Sequence, residues 1–277
     1  MTIKEPLLGQ LNQGSIFSCA KAERYPDCPI YGLVLTARCD LEQDKYNVLN
    51  YAPAVPLRDW LKVDGYELVL SRASADSASR IASALKTIDL PLSILSSQTP
   101  ASILETYIRA DDADKKLKRA ETKFVELDQR VQQLARWKQG YSADNRDLFE
   151  HCETIVQNLV KELIHHRLAG YYFLPRLEAD SEDTGFVILL REVSHLPRDL
   201  ARLIATGLDA TNALLPTRSH WLAYIDFTLS DFAMPVGELT SPQVEHLLQT
   251  FSHLFGRIGL PDPDNAKVEA LCAVRPQ

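Results

Sequence analysis

Cys39, Asp40 and Lys45 are the first residues whose types and spacing could do chemistry. They fall within residues 32–45, Gly-Leu-Val-Leu-Thr-Ala-Arg-Cys-Asp-Leu-Glu-Gln-Asp-Lys, where a short apolar run passes into a Cys-Asp pair and a charged turn. A thiol becomes a nucleophile when a base or a positive field holds the thiolate. Arg38 is adjacent, and His165 or His166 could approach through the fold. The carboxylate of Asp40 works against this, because negative charge beside a thiol raises its pKa. The competing expectation makes Cys39 a small buried apolar residue and Asp40 the cap of a strand-end turn.

Asp40 and Lys45 also bracket a loosely nuclease-like run with Glu42 and Asp44, but no second carboxylate cluster accompanies it. The run lacks the glycine and distal glutamate of a calcium loop. His165-His166-Arg167 ends a helical pattern. Cations there complement the helix dipole; alternatively, His166 serves as a base or metal ligand beside Cys39 or Asp40. Neighbouring helix residues point about 100° apart, so two adjacent histidines do not readily share one ion. Five cysteines (Cys19, Cys28, Cys39, Cys152 and Cys272) are scattered without a C-x-x-C pair. They read as reduced thiols, without the close ligand pairs of structural zinc. There is no Walker A, G-x-G-x-x-G, G-x-S-x-G or H-E-x-x-H motif, so nucleotide hydrolysis, dinucleotide chemistry and the common hydrolase classes lack support. No metal and no cofactor is expected.

The elements that must position these groups read as α+β. Residues 1–13 look like a lead-in, 14–17 and 33–36 like short strands, 45–51 and 66–70 like further strands, with Pro53 and Pro56 breaking the pairing. Several short strands separated by polar turns predict a small barrel or curled sheet. Residues 74–86 read as a helix. Thr99 and Pro100 form a cap and first-turn proline. Leu117, Ala120, Phe124, Leu127, Val131 and Leu134 then recur at alternating spacings of three and four, an a/d seam. Acidic residues (Asp111, Asp112, Asp114) crowd its start, a break is placed near Asp111-Asp112, and Gly140 stops it. A second helical stripe follows at Leu148, Cys152, Ile155, Leu159 and Leu163, closed by Gly170. The short connection predicts an antiparallel helical hairpin. It either packs on the rest of the chain or projects to dimerise or dock a partner. Residues 171–178 and 185–193 suggest a strand hairpin, 200–208 a short helix, 220–229 a strand, and Ser241-Pro242 the opening of a last helix ended by Gly259 and Pro261.

These readings divide the chain into a β-rich SH3-like part (1–98), the helical hairpin (99–170) and an α+β part packed on the rest (171–277). Hydrophobic residues make up 45% of 277, enough for a substantial core, and the net charge of −7 argues against wholesale nucleic-acid binding. No apolar run approaches the ~18 residues of a spanning helix. The opening residues lack the apolar core of a signal peptide. A cytoplasmic protein with no membrane association is expected.

Gly14-Ser15-Ile16-Phe17 followed by Gly32-Leu-Val-Leu-Thr36 resembles the opening of MazF/PemK-like toxins over residues 14–70. That resemblance implies an SH3-like barrel that cleaves RNA. The family's Arg-Pro is replaced by Ile30-Tyr31, so its catalytic arginine is missing. Leu-Thr-Ala-Arg-Cys-Asp-Leu, together with Ser241-Pro-Gln-Val-Glu-His-Leu and Phe255-Gly-Arg-Ile-Gly-Leu-Pro261, is similar to an uncharacterised bacterial group loosely associated with phage-defence neighbourhoods. The leading expectation is a non-catalytic interaction or adaptor subunit of a bacterial defence or toxin–antitoxin-like system. A protein partner or second copy would be held through Leu117, Phe124, Leu127, Val131 and Leu134. The alternatives are an RNA- or DNA-processing enzyme using Asp40, Lys45 and His166, and a thiol enzyme centred on Cys39.

Overall fold

The computed structural model describes residues 2–108, 115–140, 146–215 and 217–256, and side chains within 115–120 are outside the described set. Its body is a curled, half-barrel antiparallel sheet. The strands are β1 (Ile3–Lys4), β2 (Ser15–Phe17), β3 (Tyr31–Val34), β4 (Val48–Pro56), β5 (Tyr171–Leu174), β6 (Phe186–Leu189) and β7 (Ser194–Pro197); then come β8 (Leu208–Asp209), β9 (Phe232–Ala233) and β10 (Pro235–Leu239). The order is β1-β10-β2-β3-β4-β6-β5, with β7 pairing β4 and with β8 and β9 forming a separate pair. Residues 1–98 and 171–277 therefore both contribute strands to one sheet.

Side chains alternate along the strands between two cores. Phe17, Val34, Tyr51, Val187 and Leu189 enter one, whereas Ile16, Leu33, Ala52, Tyr172 and Ile188 enter the other. Burial on both faces explains why these strands read as continuous apolar runs. Gly32 lies under the Phe17 ring: a Cβ there would fall 2.2 Å from Phe17 Cζ.

The helices are α1 (Arg38–Glu42), α2 (Leu57–Trp60), α3 (Tyr66–Thr87), α4 (Pro100–Ile103), α5 (Lys115–Gln139), α6 (Arg146–His151), α7 (Glu153–Ile164), α8 (Arg198–Thr206), α9 (Ala210–Ala213) and α10 (Gln243–Phe255). Tyr66, Val69 and Ala73 of α3, Leu159 and Leu163 of α7, and Leu200 and Ile204 of α8 cover the first sheet face. Val244 and Leu247 of α10 cover the second. Arg72 of α3 grips Glu162 of α7 with two hydrogen bonds of 2.9 and 2.6 Å. The Trp137 ring of α5 meets the His151 ring of α6 at 5.3 Å, so these parts of the two helices lie together.

The a/d seam is filled by the chain itself. Phe124 and Leu127 are buried with Ile81, Leu85 and Ile103, Val131 packs against that cluster, and Leu134 joins the main core. The side chain of Leu117 lies outside the described set, as do the Asp111-Asp112 break and residues 257–277 with Gly259, Pro261 and Cys272.

Several elements differ from expectation. Residues 66–70 are not a strand: they open α3, whose buried Tyr66, Val69, Ala73, Ser77 and Ile81 follow helical spacing. Residues 220–229 are not a strand either. A short 3₁₀ turn, Ser219–Ala223, buries Trp221, and Asp226 then accepts from Thr228 N at 2.8 Å in an Asx turn. Pro53 and Pro56 do not end pairing. Pro53 falls between the stretch of β4 that pairs β7 (48–51) and the stretch that pairs β6 (54–56). There one side of the strand makes no ladder, and a missing N–H is tolerated. The lead-in contains β1, paired with β10 through Ile3 and Leu239. The expected cap Thr99 is present, its hydroxyl accepting from Ser102 N at 3.3 Å.

Phe124→Ala empties a fully buried aromatic site between α3, α4 and α5, and is expected to destabilise the protein by about 3–5 kcal/mol, measured as a lower urea midpoint at unchanged slope.

Candidate functional site

The residues singled out in the sequence do not converge. Cys39 and Asp40 lie in α1, a five-residue helix with no buried position, rather than at a buried strand end. The Cys39 thiol is exposed, and its polar contact is Asp40 Oδ1 at 3.8 Å. Lys45 N closes the following turn on Asp40 O at 2.8 Å. Asp44 is bound by Arg198, and by Arg202 at 2.5 Å, which ties this turn to α8. His166 is elsewhere. Tyr31, Ala54, Ile188 and Tyr172 form one row across β3, β4, β6 and β5. His166 stacks on Tyr172 in that row, at the opening end of β3, whereas Cys39 and Asp40 follow its closing end. Among the described residues, no three His, Cys, Asp or Glu side chains group as they would to hold a metal ion. The buried thiols Cys19 and Cys28 line a cavity of about 150 Å³, and burial pushes both pKa values up, to about 11 for Cys28.

Two polar clusters come together whose members the sequence did not group. The first surrounds Asp64, a buried carboxylate in a π-helical turn, Leu61–Gly65, between α2 and α3. Arg24 pairs with it, Tyr25 donates to Oδ2 at 2.7 Å, and Tyr171 of β5 lies within reach of its charge. Arg24 reaches on to Glu67 at 2.7 Å. Burial, then Asp64 itself, raises the pKa of Tyr25 and Tyr171, so both phenols stay protonated. Burial raises Glu192 above the usual carboxylate range, with Asp64 adding to the shift. A carboxylate so fully partnered is a clamp rather than a catalytic base.

The second cluster is His166, Tyr172, His246 and Gln243. The Tyr172 hydroxyl lies 3.0 Å from His246 Nδ1 and 3.2 Å from Gln243 Oε1. The His166 ring stacks on Tyr172 at 4.1 Å and meets His246 edge-on at 5.2 Å. His166 adopts a left-handed φ of 55°, and its buried Nδ1 has no hydrogen-bond partner. Burial, with repulsion from His246 and His165, lowers its pKa below 6.5. Burial raises Tyr172 to about 12.

A third feature is apolar. Gly9 N donates to Ala205 O at 2.8 Å, holding the Leu7-Leu8 turn against the end of α8. Gly207, at φ +94°, carries the chain from α8 into β8 beneath the Phe232 ring. Ala210 N donates to Asp231 O at 2.8 Å, and α9 then presents Leu214 and Leu215. Leu8 is 74% exposed and Leu214 60%, with Leu7, Leu215, Leu229 and Phe232 also exposed. All six belong to segments bonded to the end of α8 or to the β8–β9 pair. No family model, curated protein or solved structure matches the chain. Among the described residues, no helix is long and apolar enough to cross a membrane.

Asp64→Ala leaves the buried Tyr25 hydroxyl without its acceptor and takes one of its two carboxylates from Arg24, and is expected to destabilise by about 1–3 kcal/mol; Asp64→Asn recovers part of this, read by thermal unfolding. For His166 the folded-state pKa lies below the unfolded one, so its neutral form fits the fold. Its contribution is intact above about pH 6.5 and is lost as pH falls from there through the folded-state value. His166→Asn, which keeps the left-handed backbone, is expected to flatten the stability profile below about pH 6.5.

Proposed function

We propose that the protein is a non-catalytic interaction subunit that acts in the cytoplasm of a bacterium, within a defence or toxin–antitoxin-like system. The observation that carries the interaction reading is the set of exposed leucines and Phe232 around β8–β9. Apolar side chains gathered on one part of a surface favour protein partners. The defence setting rests on the resemblance of the Leu-Thr-Ala-Arg-Cys-Asp-Leu run and the α10 segment to bacterial proteins of such neighbourhoods. Further support comes from where the toxin family carries its arginine: here Ile30 is buried and Tyr31 packs on Phe186 within the sheet. The interaction surface is assigned to β8–β9 rather than to the α5 seam, because Phe124, Leu127 and Leu134 are buried inside the chain. The alternative, nucleic-acid processing through Asp40, Lys45 and His166, has less support, since His166 packs against α10 and β5 instead.

Light scattering coupled to size exclusion, with the chain alone and co-expressed with its gene neighbours, tests the reading. A mass above the 31.1 kDa monomer is expected in at least one case. Leu8→Asp with Leu214→Asp should weaken that association by about tenfold or more without unfolding the protein. A strict monomer that binds no neighbouring gene product would overturn the proposal, and an unchanged complex in the double variant would remove β8–β9 as its surface.

A further inference from the structure

We infer that the leucine and Phe232 surface around β8–β9 takes a segment of a partner protein that is apolar and basic, rather than a second copy of this chain. The inference rests on the interaction reading above and names the chemistry of the partner. Leu208 and Asp209 of β8 stand opposite Ala233 and Phe232 of β9. Side chains directly opposite in an antiparallel pair share a face, and successive ones alternate. Leu208 and Ala233 accordingly turn inward together and are buried, whereas Asp209 and Phe232 turn outward together and are exposed. The Phe232 ring lies over Gly207, where a Cβ would fall 2.7 Å from Cζ, and its carbonyl accepts from the Ser18 hydroxyl at 3.1 Å. α9 follows Asp209 directly and leads to Leu214 and Leu215. An apolar centre bordered by polar groups is the anatomy of a protein interface.

The charges on the segments that carry this surface have one sign. Residues 5–9, 208–215 and 226–233 contain Glu5, Asp209, Asp226 and Asp231, and neither lysine nor arginine. Among the described residues, none of these four carboxylates is in an ion pair. Hydrogen bonds from Thr211 hold Asp209 below the usual carboxylate range. At Asp226 burial works the other way, but the bonds from Thr228 together with Lys21 outweigh it. Cations on neighbouring parts of the chain are engaged: Arg202 with Asp44, Arg218 with Asn212 and the Trp221 ring, and Lys21 with the Leu222 carbonyl.

A negative surface repels phosphate, which disfavours nucleic acid and anionic lipid as occupants. It also disfavours a second copy on the same face. A twofold contact is self-complementary, so each patch would meet its own carboxylates, and like charges facing across an interface suppress pairing. A protein segment avoids both penalties when its apolar side chains cover the leucines and its lysines or arginines reach Glu5, Asp209 and Asp231. Such charge matching speeds encounter and makes binding sensitive to salt.

The test titrates the full chain into a fluorescein-labelled helical peptide of leucine and lysine, read by anisotropy, with a leucine–glutamate peptide of the same pattern as its counterpart. The lysine peptide is expected to bind about tenfold more tightly or better, and to weaken as salt rises. Glu5→Lys with Asp231→Lys should weaken it by about tenfold and strengthen the glutamate peptide. Leu8→Ser with Leu214→Ser should weaken the lysine peptide by about tenfold or more. Asp180→Lys with Glu182→Lys, in the β5–β6 turn, makes the same change in net charge and should leave binding unchanged. Circular dichroism confirms that each variant is folded. Equal binding of the two peptides, or equal loss in the two charge variants, overturns the basic partner. A dimer of the chain alone that Leu8→Ser with Leu214→Ser abolishes also overturns it, while the interaction reading stands. A complex with a neighbouring gene product that Glu5→Lys with Asp231→Lys leaves unaltered has the same meaning. A monomer that binds neither a neighbouring gene product nor the lysine peptide overturns both.

Discussion

One buried negative charge ties the architecture together. Asp64 belongs to the turn between α2 and α3, Arg24 and Tyr25 to the loop between β2 and β3, and Tyr171 to the edge strand β5. These are three separate parts of the chain, far apart in sequence. A carboxylate removed from water must be matched by donors that arrive together. The loop, the helix start and the edge strand therefore cannot take up their places independently. The π-helical turn follows Trp60 directly and places Asp64 inward, and the Trp60 ring packs edge-on against Tyr171 at 5.2 Å. π-helical turns concentrate where a side chain must be redirected.

The sheet meets the same demand on a larger scale. Both of its faces are covered, by α3, α7 and α8 on one side and α10 on the other. A sheet covered on both faces has little room for a substrate cleft between its layers. What reaches solvent with chemical potential is found at the margins: the histidines where α10 meets β5, and the leucines around β8–β9. The two features are separate, one polar and one apolar.

Much of this was legible in the residues, wherever local rules govern. Thr99-Pro100 announced a helix start, and the α5 spacing announced a buried stripe. The β5–β6 hairpin, α8 and α10 followed from period and capping. Local rules failed where tertiary context decided. Tyr66, Val69 and Leu70 are strand-forming residue types placed at helical spacing, and spacing prevailed once Tyr66 and Val69 could enter the core. β1 is two residues long, too short to show any period, and exists because β10 offers it an edge. The seam of α5 was readable as a seam, but its occupant, α3, was not. His166 could be suspected from its type, whereas Tyr172 and His246 become its neighbours only through the pairing of β5 and the packing of α10. Asp64 gave no signal, because nothing local marks a carboxylate as buried.

The placement of β10 between β1 and β2 has a consequence for how the chain comes to be folded. Among the described residues β1 pairs with β10 alone, through Ile3–Leu239 and Lys4–Glu238. On the ribosome β1 must therefore wait until residues 235–239 are made. Contacts so distant in sequence slow folding, and unpaired strand edges invite association with other chains in the interval. Early synthesis can assemble β2, β3 and β4 as a local meander, with β2 keeping an open edge until residues 235–239 emerge. During that time the nascent chain exposes the kind of strand edge that a chaperone, or a partner made nearby, would bind first.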